Sequence, residues 1–121
     1  MKIYISGPIT GRTAEAAEKA FRQAECEILY KGHEPVNPYK LQNILDPETT
    51  TWDQYMRPAL ALVDVSDAIC MLLGWQDSAG ACKEHAHALN GRKRIFYGTS
   101  EIMRPEPPRR REAEEAEADA E

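Results

Sequence analysis

Between Gly74 and Ala88 the chain reads GWQDSAGACKEHAHA, and the side chains in it that raise a chemical question are Ser78, Cys82, Glu84, His85 and His87. Cys82 and His85 are one helical turn apart, but His87 falls on another face and no second Cys/His cluster completes a ligand set, so no metal is expected. No Ser-His-Asp or Cys-His arrangement is present either. What remains is Ser78, Gly80 and Glu84, spaced as a small polar turn running into a helix. Ser78 can cap that helix or donate to a phosphate, and Gly80 and Ala81 leave room for close approach. Glu84 can be a solvated glutamate that suits the helix dipole, or a carboxylate aimed at a ligand above the turn. On these residues alone the plain cap and the solvated glutamate are the simpler readings.

A second candidate is SGPITGR, Ser6 to Arg12. Gly7 and Gly11 permit close backbone approach, and Arg12 can pair with a phosphate. The stretch matches neither the dinucleotide fingerprint nor the P-loop, which needs Gly-Lys-Ser/Thr. On the pattern alone a tight strand-to-helix turn is the simpler reading.

These turns need elements to hold them. KIYIS (Lys2 to Ser6) is a strand pattern running into Gly-Pro. Ala17, Phe21, Ala24 and Ile28 form one apolar stripe on a helix from Thr13 to about Lys31, with Thr13 as N-cap and Gly32 as its stop. HEPVNP reads as a short extended segment that Pro35 keeps from being a long central strand. Residues 39–51 read as a loop. A second helix is predicted from about Thr51 to Val63 with Met56, Leu60 and Val63 facing in, and Pro58 predicts a kink or a start near Arg57. AICMLL (Ala68 to Leu73) has the continuous apolar character of a strand buried on both faces. A helix from about Gly80 to Asn90, closed by Gly91, and a last strand, KRIFYG, follow.

Alternating strands and helices imply an α/β fold, a three-layer Rossmann/flavodoxin-like parallel sheet of about four or five strands. Ligands of such sheets bind at the carboxyl ends of the strands. Both candidate turns should open there.

Composition narrows the partners. The 121 residues suit one domain, and 42% hydrophobic with 29% charged residues suits a packed core. A net charge of -5 gives no surface for a nucleic acid polymer. No apolar run is long enough for a membrane span, the N-terminus lacks a signal-peptide pattern, and the three cysteines read as free thiols, so the protein is expected to be cytoplasmic. The domain is expected over residues 1–103. Residues 104–121, with three prolines, a basic triplet and an Ala/Glu run, read as a disordered charged tail.

IYISGPITG, GHEPVNP, TWDQYM and above all LLGWQDSAGACKEHAHA resemble the DUF4406 family over nearly all of residues 1–98. That family is similar in turn to nucleoside 2-deoxyribosyltransferases and deoxynucleoside 5'-monophosphate N-glycosidases. The resemblance implies Glu84 as a nucleophile at C1' of a deoxyribosyl group and Tyr4 as the group holding it. It implies a phosphate contact at Ser78, with Gly80 beside it, and a sugar-phosphate border at Gly7, Pro8, Ile9 and Arg12. It also implies a small-molecule nucleoside or nucleotide as ligand, no cofactor, and a homo-oligomer. The enzymes carry an aspartate in the helix before the central strand, where it helps protonate the departing base. This chain reads YMRPALAL, with Ala59 there, and Asp53 and Asp64 are out of register. The implied outcomes are a slow glycosidase, another proton donor, or a domain that only binds nucleotides.

Overall fold

The computed structural model describes residues 1–9 and 11–105, so the tail from residue 106 on lies outside the described residues. In chain order the elements are β1 (Lys2–Ser6), α1 (Ala14–Tyr30), β2 (Glu34–Val36), α2 (Trp52–Asp64), β3 (Ala68–Met71), α3 (Ala79–Asn90) and β4 (Arg94–Tyr97), with 3-10 helices at Pro38–Asn43, Trp75–Asp77 and Thr99–Glu101. The four strands form one parallel sheet in the order β2-β1-β3-β4. This is the α/β architecture expected.

Period-two alternation builds the layers. Ile3, Ile5, Ala68 and Cys70 point to the side covered by α1, packing with Phe21, Ala24 and Ile28. Tyr4, Ile69 and Met71 point to the other side, against Val63 of α2 and Ala81 and Ala88 of α3. The register places Tyr4 beside Ile69 and Ser6 beside Met71. The chain leaves β1 for one edge of the sheet and β3 for the other, so the carboxyl ends of β1 and β3 flank the point where the strand order reverses.

The helix ends follow their caps. The Thr13 hydroxyl accepts the Ala16 N–H at 3.1 Å, and Gly32, with φ +83°, turns the chain after α1. Thr51 and Gln54 form a reciprocal capping box that starts α2 at Trp52. That start settles the Pro58 question: α2 is one helix from Trp52 to Asp64, not a helix beginning near Arg57. Pro58 withholds one N–H from Gln54, whose exposed position lets water serve its carbonyl. The buried line of α2 is Met56, Ala59 and Val63, and Leu60 is only half-buried at its flank.

Two further expectations change. The loop over residues 39–51 contains a 3-10 helix, Pro38–Asn43, begun by the Asn37 side chain accepting the Tyr39 N–H at 3.0 Å. The central strand stops at Met71, and Leu73 is 92% exposed. β2 is an edge strand of three residues. Its Glu34 N–H bonds inward to the Met1 carbonyl at 2.9 Å, so by alternation the Pro35 nitrogen faces outward.

Candidate active site

Strand alternation brings Tyr4 and Ser6 to one face of β1, and that face looks at α3. Both hydroxyls reach Glu84: Tyr4 donates to Oε2 in a short hydrogen bond, and Ser6 donates to Oε1 at 2.9 Å. Glu84 sits in the second turn of α3 and is 6% exposed. It is therefore not a solvated helix glutamate. Each carboxylate oxygen has its own donor, which fixes the side chain in one orientation.

Two effects compete over its charge. Burial disfavours the carboxylate, and the two hydroxyl donors favour it. Burial is the larger, so the pKa rises from its ordinary 4.5 to about 7. The Tyr4 and Ser6 donors favour the ionised form, and burial outweighs both. Tyr4 itself is held well above its usual range, first by burial and then by the nearby Glu84 charge.

Glu84 lines a cavity of about 610 Å³ at the carboxyl edge of the sheet. Ser78, Gly80 and Ala81 form its wall at the start of α3, and Gly7 and Ile9 border it at the exit of β1. The opposing contributions come from the chain after β2 and the first turns of α2, including Gln42, Trp52 and Tyr55. Among the described residues the lining contains no Lys, Arg or His, and its two acidic members are Asp77 and Glu84. Lys83 is held over the Trp52 ring, 4.9 Å from its centroid.

The other expected residues are distributed differently. The Ser78 hydroxyl accepts the Ala81 N–H at 3.2 Å, so it caps α3 while facing the cavity. Gly7 borders the cavity for a packing reason: a Cβ there would lie 2.9 Å from the Leu72 Cβ. Pro8 and Arg12 line a separate hollow of about 440 Å³ between α1 and the chain after β3. Arg12 donates to the Leu73 carbonyl at 3.2 Å. Ala59 is fully buried on the inner side of α2 and is not part of the cavity lining.

The two histidines of α3 make surface contacts. His85 stacks on Trp75 with ring centroids 4.4 Å apart and lies 3.0 Å from the Tyr97 hydroxyl, while His87 meets Asp64 at 2.6 Å. The Cys82 thiol donates to the carbonyls of Trp75 and Gln76. No cluster of three metal-ligating side chains occurs among the described residues.

Ser6 and Tyr55 are absent from the residues chosen by sequence reasoning. Ser6 had a signal, since it stands two residues after Tyr4 on the same strand. Tyr55 had a weaker one, since it lies in TWDQYM, one helical turn before Ala59.

The family model that matches the sequence is Domain of unknown function (DUF4406), over residues 1–97. No curated protein matches significantly. Among solved structures, a 2-desoxiribosyltransferase from Leishmania mexicana is similar with a TM-score of 0.59 and 19% identity, covering 78% of this chain and 61% of that one. A 2-deoxyribosyltransferase from the psychrotolerant bacterium Bacillus psychrosaccharolyticus is similar with a TM-score of 0.60 and 21% identity, covering 85% and 77%. The chain thus spans less than two thirds of the Leishmania structure. At these identities the likeness establishes a shared fold. No helix among the described residues is long and apolar enough to cross a membrane.

Proposed function

We propose, from the premise that this chain belongs to the DUF4406 family, that it cleaves or transfers the N-glycosidic bond of a nucleoside or nucleotide, with Glu84 as nucleophile. One observation carries the reading: a buried carboxylate with a separate hydroxyl donor on each oxygen, at the wall of a cavity of about 610 Å³. A surface glutamate needs no such support. A reacting one does, because displacement at an anomeric carbon demands a carboxylate fixed against C1'.

In this mechanism Glu84 stabilises the positive charge that develops on the sugar and forms a glycosyl ester. Water resolves the ester in hydrolysis, and a second base resolves it in transfer. Tyr4 and Ser6 act as positioning residues that hold Glu84 and draw its pKa back down against burial. Ser78 and Gly80 take the sugar or its 5' substituent at the start of α3. Gly7 and Ile9 close the β1 side of the cavity, while Pro8 and Arg12 support that turn from behind.

The likeness to two 2-deoxyribosyltransferases supports the sugar class. The test is incubation with deoxynucleosides and their monophosphates, followed by chromatography of the released base. Release that Glu84→Ala abolishes is the expected result. No release above buffer from any common base overturns the reading.

A second reading is a domain that binds the same ligands without turning them over. Ala59, buried and without a proton to give, favours it. Calorimetry against the same panel separates the two: binding without base release selects the second.

A further inference from the structure

We propose that the Tyr55 hydroxyl is a further catalytic group of this cavity, donating a hydrogen bond to the base as it leaves; the role rests on Glu84 being the nucleophile. When a Glu84 oxygen bonds to C1', the C1'–N bond breaks and its electron pair stays on the base. That nascent anion needs a donor until it takes a proton from water. A second water then attacks the glycosyl ester, restoring the Glu84 carboxylate and releasing one proton. The sum is nucleoside plus water giving sugar plus base.

Gln42, Thr50, Trp52 and Tyr55 all bring donors to the described lining, and among them Tyr55 stands one turn before Ala59 on α2. Asp77 and Glu84 are carboxylates, and Ala59, one turn after Tyr55 on α2, gives nothing. The Ser78 and Thr51 hydroxyls sit at the starts of their helices, accepting the N–H groups of Ala81 and Gln54 and keeping their own hydrogens for the sugar side of the ligand. Tyr55 is half-buried, lines the cavity with Glu84, and is close enough that the Glu84 charge raises its pKa. Burial is the larger cause of that rise and keeps the phenol protonated at all working pH. It therefore donates a hydrogen bond and does not surrender its proton.

The bond it makes is easily exchanged. Tyr55 donates to the Pro38 carbonyl at 3.3 Å, longer than the roughly 2.7–2.8 Å usual for O–H···O. A base entering the cavity competes for that hydrogen on favourable terms.

The experiment compares two leaving groups in the full-length protein. One is an ordinary deoxynucleoside, whose base leaves poorly without a donor. The other is 4-nitrophenyl 2-deoxyriboside, whose phenolate leaves unaided. Tyr55→Phe is expected to lower kcat on the nucleoside by roughly 10²-fold, as for removal of one preorganised donor, and to lower kcat on the nitrophenyl glycoside less than about threefold. Tyr55→His, which retains a donor, is expected to lose less than Tyr55→Phe on the nucleoside, and it carries the comparison alone if the phenylalanine variant does not fold. Equal losses on both substrates, or no loss on either, overturn the assignment. A wild-type protein that cleaves the nitrophenyl glycoside but no nucleoside also overturns it while leaving Glu84 standing. Cleavage of neither substrate by the wild type removes the glycosidase reading itself, and the Tyr55 role with it.

Discussion

Ser6 and Glu84, 78 positions apart in the chain, meet at 2.9 Å across the junction of β1 and α3. Together with the Tyr4 bond, that contact gives each oxygen of a buried carboxylate its own donor. Four testable consequences follow from this arrangement and from the cavity around it.

Replacing Glu84 by Gln removes a charge that the fold holds at a cost. The folded pKa of about 7 lies above the ordinary 4.5, so the unfolded chain releases this proton first as pH rises. The wild type therefore loses stability between pH 4.5 and 7 and gains none back above that. Glu84→Gln escapes the loss. It is expected to match the wild type below pH 4.5 and to exceed it by up to about 3 kcal/mol above pH 7, while base release disappears. Denaturant unfolding at pH 4 and pH 8 checks the difference, and equal stabilities at both values contradict it.

The rate should carry the same titration. A nucleophile must be ionised, so kcat/KM is expected to fall as pH drops through about 7. Tyr4→Phe and Ser6→Ala each delete a donor that lowers this pKa, so each moves the acid limb to higher pH. A limb that stays in place in both variants shows that another group titrates there.

Charge should decide between substrates. The described lining has two carboxylates and no Lys, Arg or His, so a 5'-phosphate would depend on Ser78 and the N–H groups opening α3. A deoxynucleoside is expected to bind at least roughly tenfold more tightly than its 5'-monophosphate at pH 8, with the gap narrowing as salt rises. Calorimetry at two ionic strengths measures both. Tighter binding of the monophosphate runs against it.

Gly7 should be intolerant of a methyl group. A Cβ there would lie 2.9 Å from the Leu72 Cβ, which is anchored to its own backbone and cannot swing away. Gly7→Ala is expected to destabilise the fold by about 1–3 kcal/mol, seen as a lower thermal midpoint. An unchanged midpoint would show that the β1 exit yields easily.

Much of this was legible in the sequence because the signals are periodic. The Ala17, Phe21, Ala24, Ile28 stripe and the alternation in KIYIS each leave one arrangement of faces. The Glu84 position followed from the turn before α3 and from resemblance. Other parts depend on competition that no local pattern ranks. The capping box at Thr51 outweighs Pro58 and carries α2 through it as one helix. Ala59 takes the inner place expected for Leu60, fully buried while Leu60 is half-buried beside it. Arg12, with a guanidinium suited to phosphate, spends it on the Leu73 carbonyl because the chain after β3 passes within reach. Tyr55 lies in TWDQYM one turn before Ala59, but no local pattern says which face of α2 lines the cavity.

Pro35 has a consequence at the far side of the sheet. With Glu34 bonded inward, it removes the outward N–H from the middle of the three-residue β2 strand. A strand from another molecule finds no donor there to start a ladder. Intermolecular sheet growth is thereby discouraged at that edge, and any strand added from outside has its opportunity beside β4.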